Sequence, residues 1–171
     1  ATYNLQQCAG ILRDQGRFKQ AASYLAEAVH LAKKTGNVVG LAGAYHTLGA
    51  VYKELKVYTK ALNYYKLSWA LKKDLGRPQK ILNTIESMSE LYYQVGKYDS
   101  CLALCQQFLP LSQQIGYIKA EAHLALRAAL ATGKRNQLAQ SRQYLALGEQ
   151  VLHKVKPSEE LPRLYQLAVE A

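Results

Sequence analysis

Residues 45–68 read YHTLGAVYKELKVYTKALNYYKLS. Tyr45, Leu48 and Tyr52 recur at helical spacing around Gly49, and after the short break ELKVY a second run carries Ala61, Leu62, Tyr65, Ser68 and Trp69. Large and apolar residues three and four apart share one face of a helix. The stretch therefore predicts two helices folded back on each other. Gly49 and Ala61 are small enough to let the two cross closely.

The same phrase recurs on either side. Gly36, Gly76 and Gly116 fall 40 residues apart and close LAKKTG, LKKDLG and LSQQIG. At this period Leu12, Tyr52, Tyr92 and Thr132 align. So do Phe18, Tyr58, Tyr98 and Leu138, and so do Leu25, Tyr65, Cys105 and Leu145. Small residues form two further columns, Ala9, Gly49, Ser89 and Ala129, and Ala21, Ala61, Cys101 and Ser141. A fixed period of this length marks a repeat array. One hairpin cannot bury its apolar face alone, so neighbours must stack. The predicted fold class is an all-α solenoid of antiparallel helix hairpins. Its expected units are 1–37, 38–77, 78–117 and 118–157, with 158–171 as the first helix of a truncated fifth. Tyr165 keeps register with Tyr45, so the parent protein is expected to continue. Gly16 and Gly96 mark hairpin turns that favour a positive φ; Lys56 and Asn136 hold the same place. Pro110 falls inside a second helix, where a kink is expected.

The run Tyr45, Leu48, Gly49, Tyr52, then Tyr58, Ala61, Tyr65, Ser68 resembles the tetratricopeptide repeat, whose last position is usually Ala. The resemblance covers nearly the whole chain. The family unit is usually about 34 residues; the longer unit here is similar to those of spindle-orientation adaptors, kinesin light chains and bacterial peptide-sensing regulators. It implies a right-handed superhelix whose first helices line a concave, partner-binding surface. Carried over by register, that surface holds Gln6, Gln7, Gly10 and Arg13 from the first unit. The second gives Gly43, His46, Thr47, Ala50 and Lys53, and the third Asn83, Glu86, Ser87, Glu90 and Tyr93. The fourth gives His123, Leu126, Arg127, Leu130 and Lys134. The chaperone-tail clamp of some family members needs Lys, Asn, Asn, Lys and Arg. Its places hold Gln6, Gly10, Thr47, Asn83 and Ser87, or, one unit on, His46, Ala50, Ser87, His123 and Arg127. Only Arg127 fits, so a chaperone C-terminal acidic tail is disfavoured.

The net charge of the 171 residues is +10, which favours acidic partners without choosing among them. It is uneven: +3 over 1–37, +5 over 38–77, −1 over 78–117, +5 over 118–157 and −2 over 158–171. Arg13, Lys53, Arg127 and Lys134 suit acidic side chains, while Glu86 and Glu90 suit a Lys or Arg, so a peptide of mixed charge is expected. No run of 18 apolar residues suggests a membrane span. Three cysteines show no disulfide framework, and a reducing, cytoplasmic setting follows.

No catalytic constellation is legible. ATGKRN at 131–136 lacks the first Gly and the final Ser or Thr of a phosphate loop. Cys101 and Cys105 occupy small and apolar columns and read as core, as does Cys8 beside Leu48 and Met88 in register. His30 and His153 fall on solvated helices. Glu86 and Glu90 lack the pocket that acid–base chemistry needs. No metal or cofactor is implied. The leading expectation is a non-enzymatic scaffold that binds an extended or helical segment along its concave surface. A ligand- or peptide-sensing regulatory domain of a bacterial signalling or transcription protein is the alternative. A nucleic-acid solenoid is disfavoured, since base stacking needs exposed aromatics and most tyrosines fall in repeat columns.

Overall fold

The computed structural model describes residues 1–154; the expected fifth-unit helix at 158–171 lies outside them. Eight α-helices and no strand occur among the described residues. They are α1 (Thr2–Asp14), α2 (Phe18–Lys34), α3 (Val38–Glu54), α4 (Tyr58–Asp74), α5 (Pro78–Gln94), α6 (Tyr98–Gln114), α7 (Ile118–Lys134) and α8 (Leu138–Leu152). None is long and apolar enough to cross a membrane.

From α2 to α8 each helix begins 20 residues after the last. The turn that sets this spacing is the same everywhere. Residues 16, 36, 56, 76, 96, 116 and 136 all have positive φ. At each, the following N–H reaches back five positions, as in Arg17 N to Leu12 O at 2.8 Å and Val57 N to Tyr52 O at 2.9 Å. The left-handed residue itself donates inside that loop, as Gly16 N does to Arg13 O at 2.9 Å. This paired bonding is the Schellman ending, which satisfies the last carbonyls of a helix. The chain thus turns identically within a hairpin and between hairpins. Helix starts carry less information. Asn37 caps α3 through its side chain, accepting from Gly40 N at 2.8 Å, whereas Arg17, Val57, Lys97, Tyr117 and Gln137 provide no side-chain cap.

The described chain divides into two compact units, residues 1–84 and the residues from 85 onward, with the boundary inside α5. In the first, Ala9, Ala21, Leu25, Ala28, Ala44, Tyr45, Leu48 and Val51 form the core, with Leu12, Phe18, Tyr52 and Tyr64 packed against them. Gly49 fits against Tyr65: a methyl group at position 49 would lie 2.5–2.9 Å from the Tyr65 ring. Ser68, the departure from the repeat pattern, donates to Ala42 O at 2.8 Å and so ties α4 to α3. In the second unit Ala122, Leu126, Leu130, Val151 and Leu152 form a core with Tyr93, Leu145 and Leu147. Ser141 donates to Ala129 O at 2.8 Å, the matching tie between α8 and α7. Gly148 gives room to Leu126, whose Cγ would lie 2.8 Å from a methyl at 148.

Two sequence expectations need correction, and a third gains detail. Cys8 is exposed and not core, because the face of α1 that carries it, with Asn4 and Ile11, is uncovered. Leu138 is exposed and does not close its hairpin as Phe18, Tyr58 and Tyr98 do in part. Helix α6 runs helically through Pro110, which is exposed. The carbonyl left without its donor, that of Gln106, belongs to an exposed residue that water can satisfy.

Lys56 adopts φ 59° and Asn136 φ 58°, a region that costs a residue with a Cβ about 1–2 kcal/mol. Lys56→Gly should therefore raise the urea midpoint, stabilising the chain by about 1 kcal/mol. In Gly49→Ala the gain in helix propensity of about 1 kcal/mol is set against the Tyr65 overlap. The overlap should win, with a net loss of about 1–2 kcal/mol; an unchanged or raised midpoint would contradict the close crossing.

Candidate functional site

In the first unit a cavity of about 370 Å³ opens between α1, α3, α4 and α5. Tyr3 and Gln6 of α1 line it, with Val39, Ala42, Gly43, His46 and Thr47 of α3, and Lys80 and Asn83 of α5. Lys72 and Leu75 reach it from α4 and its end, and Arg77 from the turn. Four of the side chains expected from register, Gln6, His46, Thr47 and Asn83, therefore meet at one place. Gln6 Nε2 donates to Gly40 O at 2.8 Å, and Thr47 Oγ1 donates to Gly43 O at 3.2 Å. These bonds fix both side chains at the wall.

Gln7, Arg13 and Lys53 do not line the cavity. Gln7 is exposed. Arg13 pairs with Asp14 at 2.8 Å, and Lys53 lies 3.8 Å from Glu54. Such partly exposed pairs add little stability.

The floor of the cavity is polar and buried. Lys72 is only 8% exposed and donates from Nζ to Thr84 Oγ1 at 2.6 Å. Thr84 Oγ1 also lies 3.4 Å from His46 Nδ1 and donates to Lys80 O at 3.2 Å. The His46 ring packs on Tyr65, centroids 5.4 Å apart. Burial, then the charges of Lys72, Arg13 and Lys80, lower the His46 pKa to about 3. Burial and Lys80 lower that of Lys72 to about 8. At neutral pH His46 is thus neutral and Lys72 still mainly charged.

In the second unit Glu86, Ser87, Glu90 and His123 are half-buried, and Lys134 is exposed at the end of α7. Arg127 is only 9% exposed, and its guanidinium stands 5.2 Å from the centroid of the Tyr93 ring. That cation–π packing makes Arg127 as much a structural as a surface residue. Gln94 Nε2 donates to Glu90 Oε1 at 3.5 Å. Cys101 and Cys105 are buried, and Ser89 bonds Cys105. The Cys105 thiol is held well above its usual range by its bond with Cys101 and by burial, which argues against a nucleophile there. No cluster of three or more metal-ligating side chains occurs among the described residues.

Register reasoning confined to first helices misses Lys72, the most buried charge of the first cavity. A signal was present. Lys72 aligns with Ala32, Ser112 and Leu152, and all four positions are buried. A lysine in such a column demands a reason beyond packing.

The His46 shift has a consequence for stability. Its folded pKa lies below its unfolded value, so the unfolded chain binds the extra proton first. The stability held by neutral His46 is complete above about pH 6.5 and is lost as pH falls towards 3. Between pH 6.5 and 4.5 this single group should cost roughly 2–3 kcal/mol. Urea unfolding of wild type and His46→Gln across that range tests it. The variant should lose that much less stability; parallel pH curves would contradict the buried neutral imidazole.

No family model matches the chain, and no curated protein sequence matches it. Solved structures do. BtubC (BKLC) from P. vanneervenii superposes with a TM-score of 0.82 at 14% identity, over 92% of this chain and 66% of that one. This chain thus spans just under two thirds of BtubC. Kinesin-light-chain-type, nearly identical TPR-like repeats from Podosopora anserina superpose with a TM-score of 0.71 at 18% identity, over 98% and 87% of the two chains. A variant of those repeats gives 0.73 at 18% identity, over 98% and 86%. At these identities the likeness speaks to fold. The chain has the tetratricopeptide-type fold, an all-α helical-repeat solenoid.

Proposed function

We propose that the chain is a non-enzymatic scaffold that holds a protein or peptide segment against its first helices. The observation that carries this reading is the first-unit cavity. Gln6, His46, Thr47 and Asn83, drawn from three different first helices, line it together. Their amide, imidazole and hydroxyl groups suit the backbone of an extended segment. Glu86, Ser87, Glu90, His123 and Lys134 extend the same polar character through the second unit by register. Carboxylates and cations on one face suit a segment of mixed charge.

The binding surface belongs, in this reading, to an array of four 40-residue units and the start of a fifth, working in the cytoplasm. Nucleic acid is the weaker reading because so many rings are engaged with each other. Tyr52 stacks on Tyr64 at 5.4 Å, Tyr45 meets Tyr64 at 5.9 Å, and Tyr93 meets Tyr98 at 5.5 Å. A sensing role would use the same surface for a smaller ligand.

Affinity capture with this chain, followed by trimming of the captured partner to its shortest binding segment, supplies the probe. Calorimetry should then show Asn83→Ala weakening that segment by about tenfold, the equivalent of about 1.4 kcal/mol. Lys66→Ala on the exposed face of α4 should leave Kd unchanged. Loss of affinity in Lys66→Ala with none in Asn83→Ala would place the partner on the second helices and overturn the reading.

A further inference from the structure

Lys72 occupies a position that the repeat reserves for small or apolar residues. Its register partners Ala32, Ser112 and Leu152 are buried, and Lys72 itself is only 8% exposed. A buried ammonium is costly unless it is paired and hydrogen-bonded. Lys72 makes one bond, to Thr84 Oγ1, and it has three protons to donate. It makes no ion pair among the described residues, and no acidic side chain lines its cavity. Arg77 and Lys80, both exposed, line the same cavity and add positive charge. The repulsion is visible in the chemistry of the site: Lys80 lowers the Lys72 pKa further, after burial has lowered it. The fold alone gives no reason to gather three cations around an open cavity.

We propose that this cavity is an oxyanion pocket in which Lys72, assisted by Arg77 and Lys80, receives the side-chain carboxylate of an acidic residue in the bound segment. The proposal rests on the peptide-binding reading and names the chemistry its first unit selects. The pocket's volume, about 370 Å³, lies in the range of roughly 300–1,000 Å³ usual for ligand sites. Two N–H groups of Lys72 remain for the anion, which matches the two oxygens of a carboxylate. A carboxylate is also a monoanion, and burying it beside one buried cation costs less desolvation than burying a doubly charged phosphate. The site differs from a clamp built on first helices alone, because its deepest cation comes from the second helix α4. Gln6 and Asn83 stand at the same walls to hold the adjoining backbone.

The test follows the Lys72 side-chain Cε–H resonance by NMR in the whole chain, with N-acetyl-glutamate amide as probe. The peak is assigned by its loss in Lys72→Met. Capped glutamate should shift it saturably in the millimolar range, and the matched capped glutamine should not. Lys80→Ala, a change at an exposed residue, should weaken the effect at least threefold and keeps the test open should Lys72→Met fail to fold. A Lys72 response no larger than that of exposed Lys66, or equal responses to glutamate and glutamine, would overturn the proposal. Tighter saturation by inorganic phosphate would overturn the carboxylate assignment. The pocket and the wider scaffold role fail separately. A trimmed partner segment that binds wild type and Lys72→Met equally removes the pocket and leaves the scaffold. Capped glutamate that shifts Lys72 in a chain that holds no segment does the reverse.

Discussion

Every described helix from α1 to α7 ends on a residue of positive φ, followed by an N–H that reaches back five residues. The remaining structure depends on this ending. It fixes the linker at three residues and the helix at 17 from α2 to α7. Side chains that cross between helices can therefore recur at the same places. The Gly49–Tyr65 contact, the Ser68 bond to Ala42 and the Ser141 bond to Ala129 all rely on it. Were one turn a residue longer, every later side chain would rotate by about 100° about its helix axis. The apolar columns would then leave the core.

Fixed turns also explain why the second helices can do more than pack. A residue one turn before such an ending sits where the next first helix begins. Lys72 is in that place, and its backbone carbonyl accepts from Arg77 N at 3.5 Å in the turn. The same turn delivers Arg77, and α5 then delivers Lys80, Asn83 and Thr84 to the neighbourhood of the Lys72 ammonium. A local backbone motif thus assembles a charged cavity from residues close in sequence, while α1 and α3 provide its far walls.

Much of this was legible in the sequence. The 40-residue columns carry the helix pairs, the small–large crossing and the left-handed turns, including the unusual Lys56 and Asn136. Four of the expected groove residues do meet around one cavity. Other features depend on three-dimensional facts that periodicity does not contain. The pattern puts Cys8 in a core column, but burial needs a neighbour, and α1 leaves that face uncovered. Arg127 reads as a groove cation, yet its guanidinium is engaged by the Tyr93 ring. Lys72 was hidden by a rule that assigns binding to first helices. The column comparison exposes it, because charge in a buried column stands out once burial is known. The halving of the period to 20 residues was also missed, since the intra-hairpin turns carry Gly at 16 and 96 but Lys and Asn at 56 and 136.

If the first helices, with Lys72 behind them, hold an extended acidic segment, the most direct measurement is a crystal structure of the chain bound to a peptide selected from a random library. The expected result is an extended peptide against the α3 face, with one carboxylate within hydrogen-bonding distance of Lys72 Nζ. A peptide seated on the exposed faces of α2 and α4, with the Lys72 cavity empty of it, would contradict that role for the first helices.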